Sequence, residues 1–455
     1  MSDASEPQTP AYVRQYLQSA VIHADDYVDA ARQRFHRVFR VNRPRHIAAY
    51  RGWGDTKGVQ MIGRVLSEKP EGGPGEADSW WDNLLNTYRR FESDEVPGQP
   101  VKVQFGTHVV EVVTDHEGYF QASLPGPATI DALWSNAAAS LPDGTLLTPQ
   151  PVLQVHPDAG IGVISDIDDT ILQSGITNWK TAAQLTFLHN ARTRKPLKGV
   201  AKLYQALQAG TDGQGRVPIF YVSSSPWNLY DLLEDFMELN GIPPGPVFLR
   251  DLGTDTGKFI KTRGHGHKLE RARELIARFP HLRWVLLGDS GQADAELYAE
   301  AAQEFGDRIV AIYIRDVDPD VTSAYDRAVD GHIERVAGTK VPMLLARDSR
   351  AIAEHAADLG LIERRWIDEI AREVGRDEVR PTLGEAATAA ATTTQATQEA
   401  TGATGATDER ALEAAAVDAA QAHREAVSSP EAESSRPPPS ASPPQGDAAG
   451  ADRLR

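Results

Sequence analysis

The residues best suited to chemistry lie in Ile161–Leu172, where a short apolar run is followed by Asp166, Asp168, Asp169 and Thr170. An apolar run of this length favours a buried parallel strand. Carboxylates crowded at the end of such a strand repel one another unless a cation neutralises them. Oxygen ligands suit a hard ion such as Mg²⁺, so the segment indicates a metal site. The alternative at this point is a strand followed by a solvated acidic turn.

A second apolar run, 218–222, ends in Ser223-Ser-Ser-Pro226. The carboxyl ends of parallel strands are where α/β sheets bind ligands, and a serine hydroxyl there can donate to a phosphate oxygen. The same serines can instead cap the helix predicted over Trp227–Asn240, since serine is a favoured N-cap residue. The two interpretations are compatible.

A third apolar run, Trp284–Leu287, leads into two more carboxylates, Asp289 and Asp294. Glycines beside Asp289 allow a tight turn after the strand. A further strand is predicted over Arg308–Ile314. Acidic side chains are therefore expected at the ends of two different strands.

A lysine between these segments can hold a phosphate against the acidic side chains. Lys268 opens the predicted helix Leu269–Phe279 and follows a glycine-rich loop. Lys258 and Lys261 are alternatives for the same role, and a solvated lysine at a helix start is the plain interpretation of Lys268.

The order of these four segments resembles the haloacid dehalogenase superfamily of phosphohydrolases. The matching positions are Asp166, Asp168, Thr170, Ser223, Lys268, Asp289 and Asp294. Three segments are similar in sequence to the actin-patch-type phosphatidate phosphatase catalytic domain, which has bacterial members: Asn190–Gly199, Tyr221–Leu229 and Leu287–Gln292. The resemblance covers residues from about 160 to 318. It implies an α/β fold with a Rossmann-like parallel sheet of the haloacid dehalogenase type.

The resemblance also implies an activity, the Mg²⁺-dependent removal of the phosphate of phosphatidate to give diacylglycerol. Asp166 would be the nucleophile that forms an aspartyl-phosphate, and Asp168 would be the general acid and base. The two carboxylates need different protonation states, so their surroundings must give them different pKa values. Asp169 has no role in the family pattern.

The remaining family positions imply how ions and phosphate are held. Mg²⁺ would be bound by Asp166, the backbone carbonyl of Asp168 and Asp289, with Asp294 acting directly or through a water. Thr170, Ser223 and Lys268 would hold the phosphoryl oxygens.

Composition excludes several other classes of protein. The chain of 455 residues contains no cysteine, so thiol nucleophiles, disulfides and zinc–thiolate sites are ruled out. The net charge of −17 argues against broad binding of nucleic acid. No apolar leader or run of 18 apolar residues occurs, so we expect a cytoplasmic protein, which as a lipid phosphatase would act peripherally at the membrane surface.

The chain divides into four predicted parts: an N-terminal amphipathic helix with a basic segment (1–45), a β-rich sandwich-like domain (46–156), the phosphatase domain (157–378) and a disordered tail rich in Ala, Thr, Pro and Ser (379–455). The basic helix either contacts anionic lipid or covers its own domain. Residues 343–376 are predicted to be helical and to pack on the catalytic sheet.

Only about 50 residues separate Thr170 from Ser223, which leaves little room for a large cap over the site. The basic cluster Arg192, Arg194, Lys195 and Lys198 lies in this insert and either meets an anionic head group or is solvated. Three functions stay open: a phosphatidate phosphatase, a phosphatase of soluble phosphomonoesters, and a non-catalytic binding module. Protein partners are not indicated by the sequence.

Overall fold

The protein is described from a computed structural model that covers residues 45–67, 94–172, 196–250, 266–317 and 324–379. The predicted N-terminal helix and the tail beyond 379 lie outside these residues. So do Arg192, Arg194, Lys195, Lys258 and Lys261. In the described part of the chain, no helix combines the length and apolar character needed to cross a bilayer.

A curled nine-stranded sheet precedes the catalytic motifs. Its strands are β1 (Arg45–Ala49), β2 (Gly52–Asp55), β3 (Gly58–Ser67), β4 (Asp94–Glu95), β5 (Pro100–Phe105), β6 (His108–Val113), β7 (Tyr119–Leu124), β8 (Trp134–Ser140) and β9 (Thr148–Gln154). Strand β3 pairs with β1 and β2 along one edge and with β7 and β4 along the other. Its residues alternate between half-buried and buried, so one face of the sheet carries the core.

The predicted β-rich character of this segment is confirmed. The expected sandwich-like arrangement differs from the structure in two respects. The strands form one continuous hydrogen-bonded sheet, which curls, and β2 pairs with β9 in parallel. The long strand β3 allows this because it offers partners to four neighbours.

The second sheet has six strands, and every neighbouring pair is parallel. Its strands are β10 (Ile161–Ser165), β11 (Ile219–Pro226), β12 (Val247–Arg250), β13 (Arg283–Asp289), β14 (Ile309–Arg315) and β15 (Met343–Ala346), in the spatial order β12-β11-β10-β13-β14-β15. The order reverses between β10 and β13, and ligands of open α/β sheets bind beyond the strand ends at such a switch point. The predicted parallel sheet is confirmed, whereas its haloacid dehalogenase type stays a prediction.

Helices cover both faces of the parallel sheet. They are α1 (Val200–Ala209), α2 (Tyr230–Leu239), α3 (Gly266–Arg278), α4 (Asp294–Phe305), α5 (Ala324–Ala337), α6 (Ser349–Asp358) and α7 (Arg365–Val379). Helices α1, α2, α6 and α7 share a core with Val163 and Tyr221. Helices α3, α4 and α5 share the other core with Ile164 and Phe220. Successive strand residues thus face opposite sides, as the pleat requires.

One prediction about the C-terminal part of the fold is wrong. Residues 343–376 are not helical throughout, because Met343–Ala346 forms β15 and pairs with β14. A short apolar run cannot be assigned to a strand or a helix by periodicity alone, and here the free edge of β14 decides. Helix α6 then begins behind Asp348, whose side chain accepts a hydrogen bond from the Ala351 N–H at 3.0 Å.

Residues 50–55 join the curled sheet to the parallel sheet. Tyr50 belongs to the core on one face, where its ring centroid lies 4.7 Å from that of Trp227 and 4.4 Å from that of Tyr230. Trp53 packs edge-on against Phe220 on the opposite face, at 6.4 Å. The connection therefore reaches both faces of the parallel sheet.

Polar contacts reinforce this junction. The Arg51 backbone N–H donates to the Tyr230 hydroxyl at 2.9 Å, and the Arg51 guanidinium pairs with Glu234 in α2. Asp55 accepts two hydrogen bonds from Arg278 at the end of α3, at 2.7 and 2.9 Å. The curled sheet is thus anchored to the helix that follows Ser223 and to the helix that carries Lys268.

Candidate active site

The first acidic segment forms a tight turn at the end of β10. The buried Asp166 donates its backbone N–H to the Leu287 carbonyl at 2.8 Å, which prolongs the pairing of β10 with β13. Asp169 then adopts a left-handed conformation with φ of 56°, which aspartate tolerates better than most residues. The Asp169 N–H reaches the Leu172 carbonyl at 2.8 Å and closes the turn. The turn brings the Thr170 hydroxyl to 3.3 Å from Asp166 Oδ2, to which it donates.

The serine segment faces Asp168. Strand β11 does not stop at Val222 as predicted but continues to Pro226, with a shift in register after Val222. The Ser223 hydroxyl donates to Asp168 Oδ2 at 2.7 Å, and the Ser225 hydroxyl donates to the same oxygen at 3.0 Å. The Ser225 backbone N–H donates to Ser223 Oγ at 2.9 Å.

Lys268 lies in the first turn of α3 and is 1% exposed. Its Nζ is 2.8 Å from Asp166 Oδ1 and 2.7 Å from Asp294 Oδ1. Burial alone would lower the pKa of the lysine, but attraction to Asp166, Asp294 and Asp289 outweighs burial and raises the pKa above its ordinary value. Lys268 therefore stays charged and bridges the first and last acidic segments.

Asp289 and Asp294 lie at the end of β13 and the start of α4. The Asp289 N–H donates to Asp294 Oδ2 at 3.3 Å, so both oxygens of Asp294 have partners, one of them Lys268. Gly288 permits this approach, because a Cβ at that position would lie 2.6 Å from the Asp294 Cβ. Both carboxylate oxygens of Asp289 are buried and accept no hydrogen bond.

These carboxylates fit a hard cation. Oxygens of Asp166, Asp289 and Asp294 all lie within 4.8 Å of one another, and all three residues are buried. Leaving a buried polar atom unpartnered costs about 1–3 kcal/mol, and a cation between the carboxylates would remove that cost. Burial raises the pKa of Asp166 and of Asp289 well above the ordinary value, and repulsion from Asp294 adds to the rise. A donor set made only of carboxylate oxygens suits Mg²⁺.

Asp168 has different surroundings from Asp166, although the two are separated by one residue. Burial raises the pKa of Asp168, while the hydrogen bonds from Ser223 and Ser225 oppose the rise. The Asp168 backbone carbonyl accepts from Gln292 Nε2 at 3.4 Å. Asp166 therefore faces the ammonium group of Lys268, whereas Asp168 faces two neutral hydroxyls.

All seven residues singled out in the sequence converge at one place, at the carboxyl ends of β10, β11 and β13. Three neighbours were missed: Ser225, Gln292, and His267, whose Nε2 is 3.0 Å from the Ser223 carbonyl. Each belongs to a run that was noted in the sequence, but the run does not tell which member faces the site. The basic cluster expected at the site mouth is described only at Lys198, which is half exposed and pairs with Glu378 at 3.0 Å.

Part of the chain is similar in sequence to known proteins. Residues 161–316 match the family model of the phosphatidate phosphatase APP1 catalytic domain. Over 157 residues the chain is 36% identical to phosphatidate phosphatase APP1 of Saccharomyces cerevisiae, an alignment that covers 34% of this chain and 26% of the relative. Over 219 residues it is 28% identical to an uncharacterized protein of Schizosaccharomyces pombe, covering 45% of this chain and 34% of the relative. The chain thus spans about a quarter to a third of the length of these relatives.

Among solved structures, a carbohydrate acetylesterase from Xanthomonas citri matches with a TM-score of 0.26 and 11% identity, covering 73% of each chain. A likeness at that score carries no inference about fold or function. The family match covers the strands β10 to β14 and the four segments that meet at the site. The family resemblance predicted from the motifs is confirmed, because residues 161–316 match the phosphatidate phosphatase APP1 catalytic-domain family.

Proposed function

We propose that this protein is a Mg²⁺-dependent phosphatase that hydrolyses the phosphomonoester of phosphatidate to diacylglycerol and inorganic phosphate. The observation that carries the proposal is the buried group Asp166, Asp289 and Asp294, bridged by Lys268, in a domain of a phosphatidate phosphatase family. Buried carboxylates in this number, at the switch point of a parallel sheet, favour phosphoryl chemistry over a structural role.

Asp166 is the proposed nucleophile. Its carboxylate attacks phosphorus, and the bond between phosphorus and the glycerol oxygen breaks, which leaves an aspartyl-phosphate. Lys268 and Thr170 hold the two oxygens of this carboxylate at 2.8 and 3.3 Å, which orients it before the attack. Water then attacks the phosphorus of the intermediate and releases Asp166 and inorganic phosphate.

Asp168 is the proposed general acid and base. The departing glycerol oxygen takes a proton from the Asp168 carboxyl, and the resulting carboxylate later accepts a proton from the attacking water. A raised pKa suits the first step, since the group must be protonated when the leaving group departs. The different surroundings of Asp166 and Asp168 support this division of roles.

Asp166, Asp289 and Asp294 would hold Mg²⁺, together with the backbone carbonyl of Asp168. When bound, the ion supplies positive charge that offsets the repulsion among the carboxylates and between Asp166 and the phosphate. The open oxygens of Asp289 are the feature of the structure that supports such binding.

Thr170, Ser223 and Lys268 are the proposed phosphate-binding donors. In the structure each of them donates to a carboxylate of the site, at 3.3, 2.7 and 2.7 Å respectively. Donors that already converge on negative charge are preorganised for the phosphoryl oxygens, where charge spreads in the transition state.

The test is phosphate release from phosphatidate in detergent micelles, with and without Mg²⁺, for the wild type, Asp166→Asn and the exposed control Asp158→Asn. We expect Mg²⁺-dependent release that rises with the surface concentration of the lipid, is lost in Asp166→Asn and is unchanged in Asp158→Asn. Release from a soluble aryl phosphate but not from phosphatidate would keep the chemistry and overturn the lipid substrate. No release from either would overturn the catalytic proposal in favour of a binding module.

A further inference from the structure

Ser225 stands out because its hydroxyl shares an acceptor with Ser223. Both donate to Asp168 Oδ2, at 3.0 and 2.7 Å, and both serines are completely buried. Asp168 Oδ1 is buried and accepts no hydrogen bond. In the part of the chain that the structure describes, the two serines are the donors that hold the Asp168 carboxylate.

The two serines are not equivalent, since Ser223 is also the proposed phosphate ligand. A serine hydroxyl has one hydrogen and donates to one acceptor at a time. When Ser223 donates to a phosphoryl oxygen, it no longer donates to Asp168. The Ser225 N–H, which donates to Ser223 Oγ at 2.9 Å, keeps the Ser223 oxygen in place but does not touch Asp168.

The backbone explains how Ser225 reaches the same carboxylate. Ser223 and Ser225 lie two residues apart on β11, so the pleat directs both side chains to the same side of the strand. The pairing of β11 with β12 shifts in register between Val222 and Pro226, so the serine segment is paired irregularly with β12. The alternation along the strand thus places two hydroxyls, rather than one, against Asp168.

We propose that Ser225 is a positioning residue that keeps the Asp168 carboxyl in place for proton transfer while Ser223 donates to the phosphate. This inference rests on the proposed function, because it assigns Ser225 a part in the step that Asp168 performs. Ser225 takes no part in the bond changes themselves. The bond between phosphorus and the leaving oxygen breaks, and the proton of Asp168 passes to that oxygen.

The role predicts a dependence on the leaving group. An alkoxide, such as that of a glycerol lipid, needs the proton as it departs, whereas a nitrophenolate departs without one. Loss of a general acid lowers rates about 10²–10⁴-fold, so a misplaced acid should lower kcat/KM for an alkyl phosphomonoester by about 10–100-fold. This constant covers the steps up to the departure of the leaving group, so it leaves out the later attack of water, in which Asp168 serves both substrates as the base. We expect Ser225→Ala to show this loss on phosphatidate, with less than about a threefold change for 4-nitrophenyl phosphate, which needs no general acid.

The experiment compares kcat/KM for both substrates on the full chain with saturating Mg²⁺. Asp168→Asn should share the leaving-group pattern of Ser225→Ala. Ser223→Ala should lower kcat/KM for both substrates together. Ser225→Thr, which keeps the hydroxyl, should show the wild-type pattern. In the Asp168→Asn background, Ser225→Ala should have no further effect on phosphatidate hydrolysis. A structural defect would instead lower kcat/KM equally for both substrates.

Equal losses of kcat/KM on the two substrates, or no loss on either, would overturn the role of Ser225. If the alanine variant does not fold, Ser225→Cys keeps the size of the side chain and offers only a weak donor, so it must show the same pattern at smaller amplitude. Activity of the wild type that Asp166→Asn abolishes, without a leaving-group pattern in the Ser225 variants, would overturn this inference alone. A wild type that is inactive on both substrates would overturn the proposed function and this inference with it.

Discussion

Replacing Tyr50 by alanine tests whether the curled sheet and the parallel sheet fold as one unit. Tyr50 follows β1 but is buried in the core of the parallel sheet, 5% exposed, with its ring against Trp227 and Tyr230. Both aromatic partners lie at the start of the helical segment behind the serine motif. The contact therefore connects residues that are about 180 positions apart in the chain.

The expected loss can be worked from this packing. Truncation of a buried aromatic side chain to alanine costs about 3–5 kcal/mol of unfolding free energy. The contact with Trp227, at 4.7 Å, falls within the favourable range of about 4.5–7 Å between ring centroids, and the contact with Tyr230, at 4.4 Å, lies at its lower limit. Such a contact is worth about 0.5–1.5 kcal/mol beyond burial. We expect Tyr50→Ala to lose about 3–5 kcal/mol and Tyr50→Phe, which keeps the ring, to lose less than about 1.5 kcal/mol.

The assay is urea unfolding of the full chain, followed by tryptophan fluorescence and circular dichroism. A double-mutant cycle with Trp227→Ala isolates the contact across the junction, and we expect a coupling energy of about 1 kcal/mol or more, as for residues in contact. A coupling energy near zero would refute the reasoning. So would an unfolding curve with two steps in which Tyr50→Ala leaves the midpoint of one step unchanged, because the curled sheet and the parallel sheet would then unfold independently.

Three other changes probe the site. Lys268→Met leaves Asp166 and Asp294 without their shared cation, so urea unfolding in EDTA should show a loss of about 3–5 kcal/mol, and an unchanged midpoint would contradict the bridging role. Asp289→Asn should abolish the rise in Tm that Mg²⁺ gives the wild type, a rise worth about 2.7 kcal/mol at a hundredfold excess over Kd; an equal rise in the variant would rule out Asp289 as a ligand. Gly288→Ala places a Cβ 2.6 Å from that of Asp294, so thermal unfolding should reveal a loss of about 1–3 kcal/mol together with a weaker response to Mg²⁺, and wild-type behaviour in both would show that the turn has room to spare.

Much of the site could be predicted because its parts are local in sequence. Each acidic or hydroxyl segment follows an apolar run, and a run of this kind predicts a buried strand wherever it lies in the fold. Asp166, Ser223 and Asp289 therefore read as residues at strand ends, and strand ends of one parallel sheet meet at one edge. Residues 343–346 escaped the same reasoning, since four apolar residues fit a helix as well as a strand until β14 offers an edge.

The division of labour within the site depends on contacts that no local pattern contains. The sequence offers three consecutive serines, but the orientation of β11 in the folded sheet decides that Ser223 and Ser225 face Asp168. It offers three candidate lysines, of which only Lys268 falls within the described residues, where α3 brings it between Asp166 and Asp294.

By itself the sequence determined the residue types, their order and the strands that carry them, because apolar periodicity and charged clusters act over a few neighbouring positions. The tertiary structure alone decided which oxygens stay open, as at Asp289, and which are already engaged, as at Asp294. It also decided that Tyr50 packs behind the serine motif. These outcomes depend on the pairing of segments far apart in the chain, and the direction of a side chain is set only when that pairing is complete.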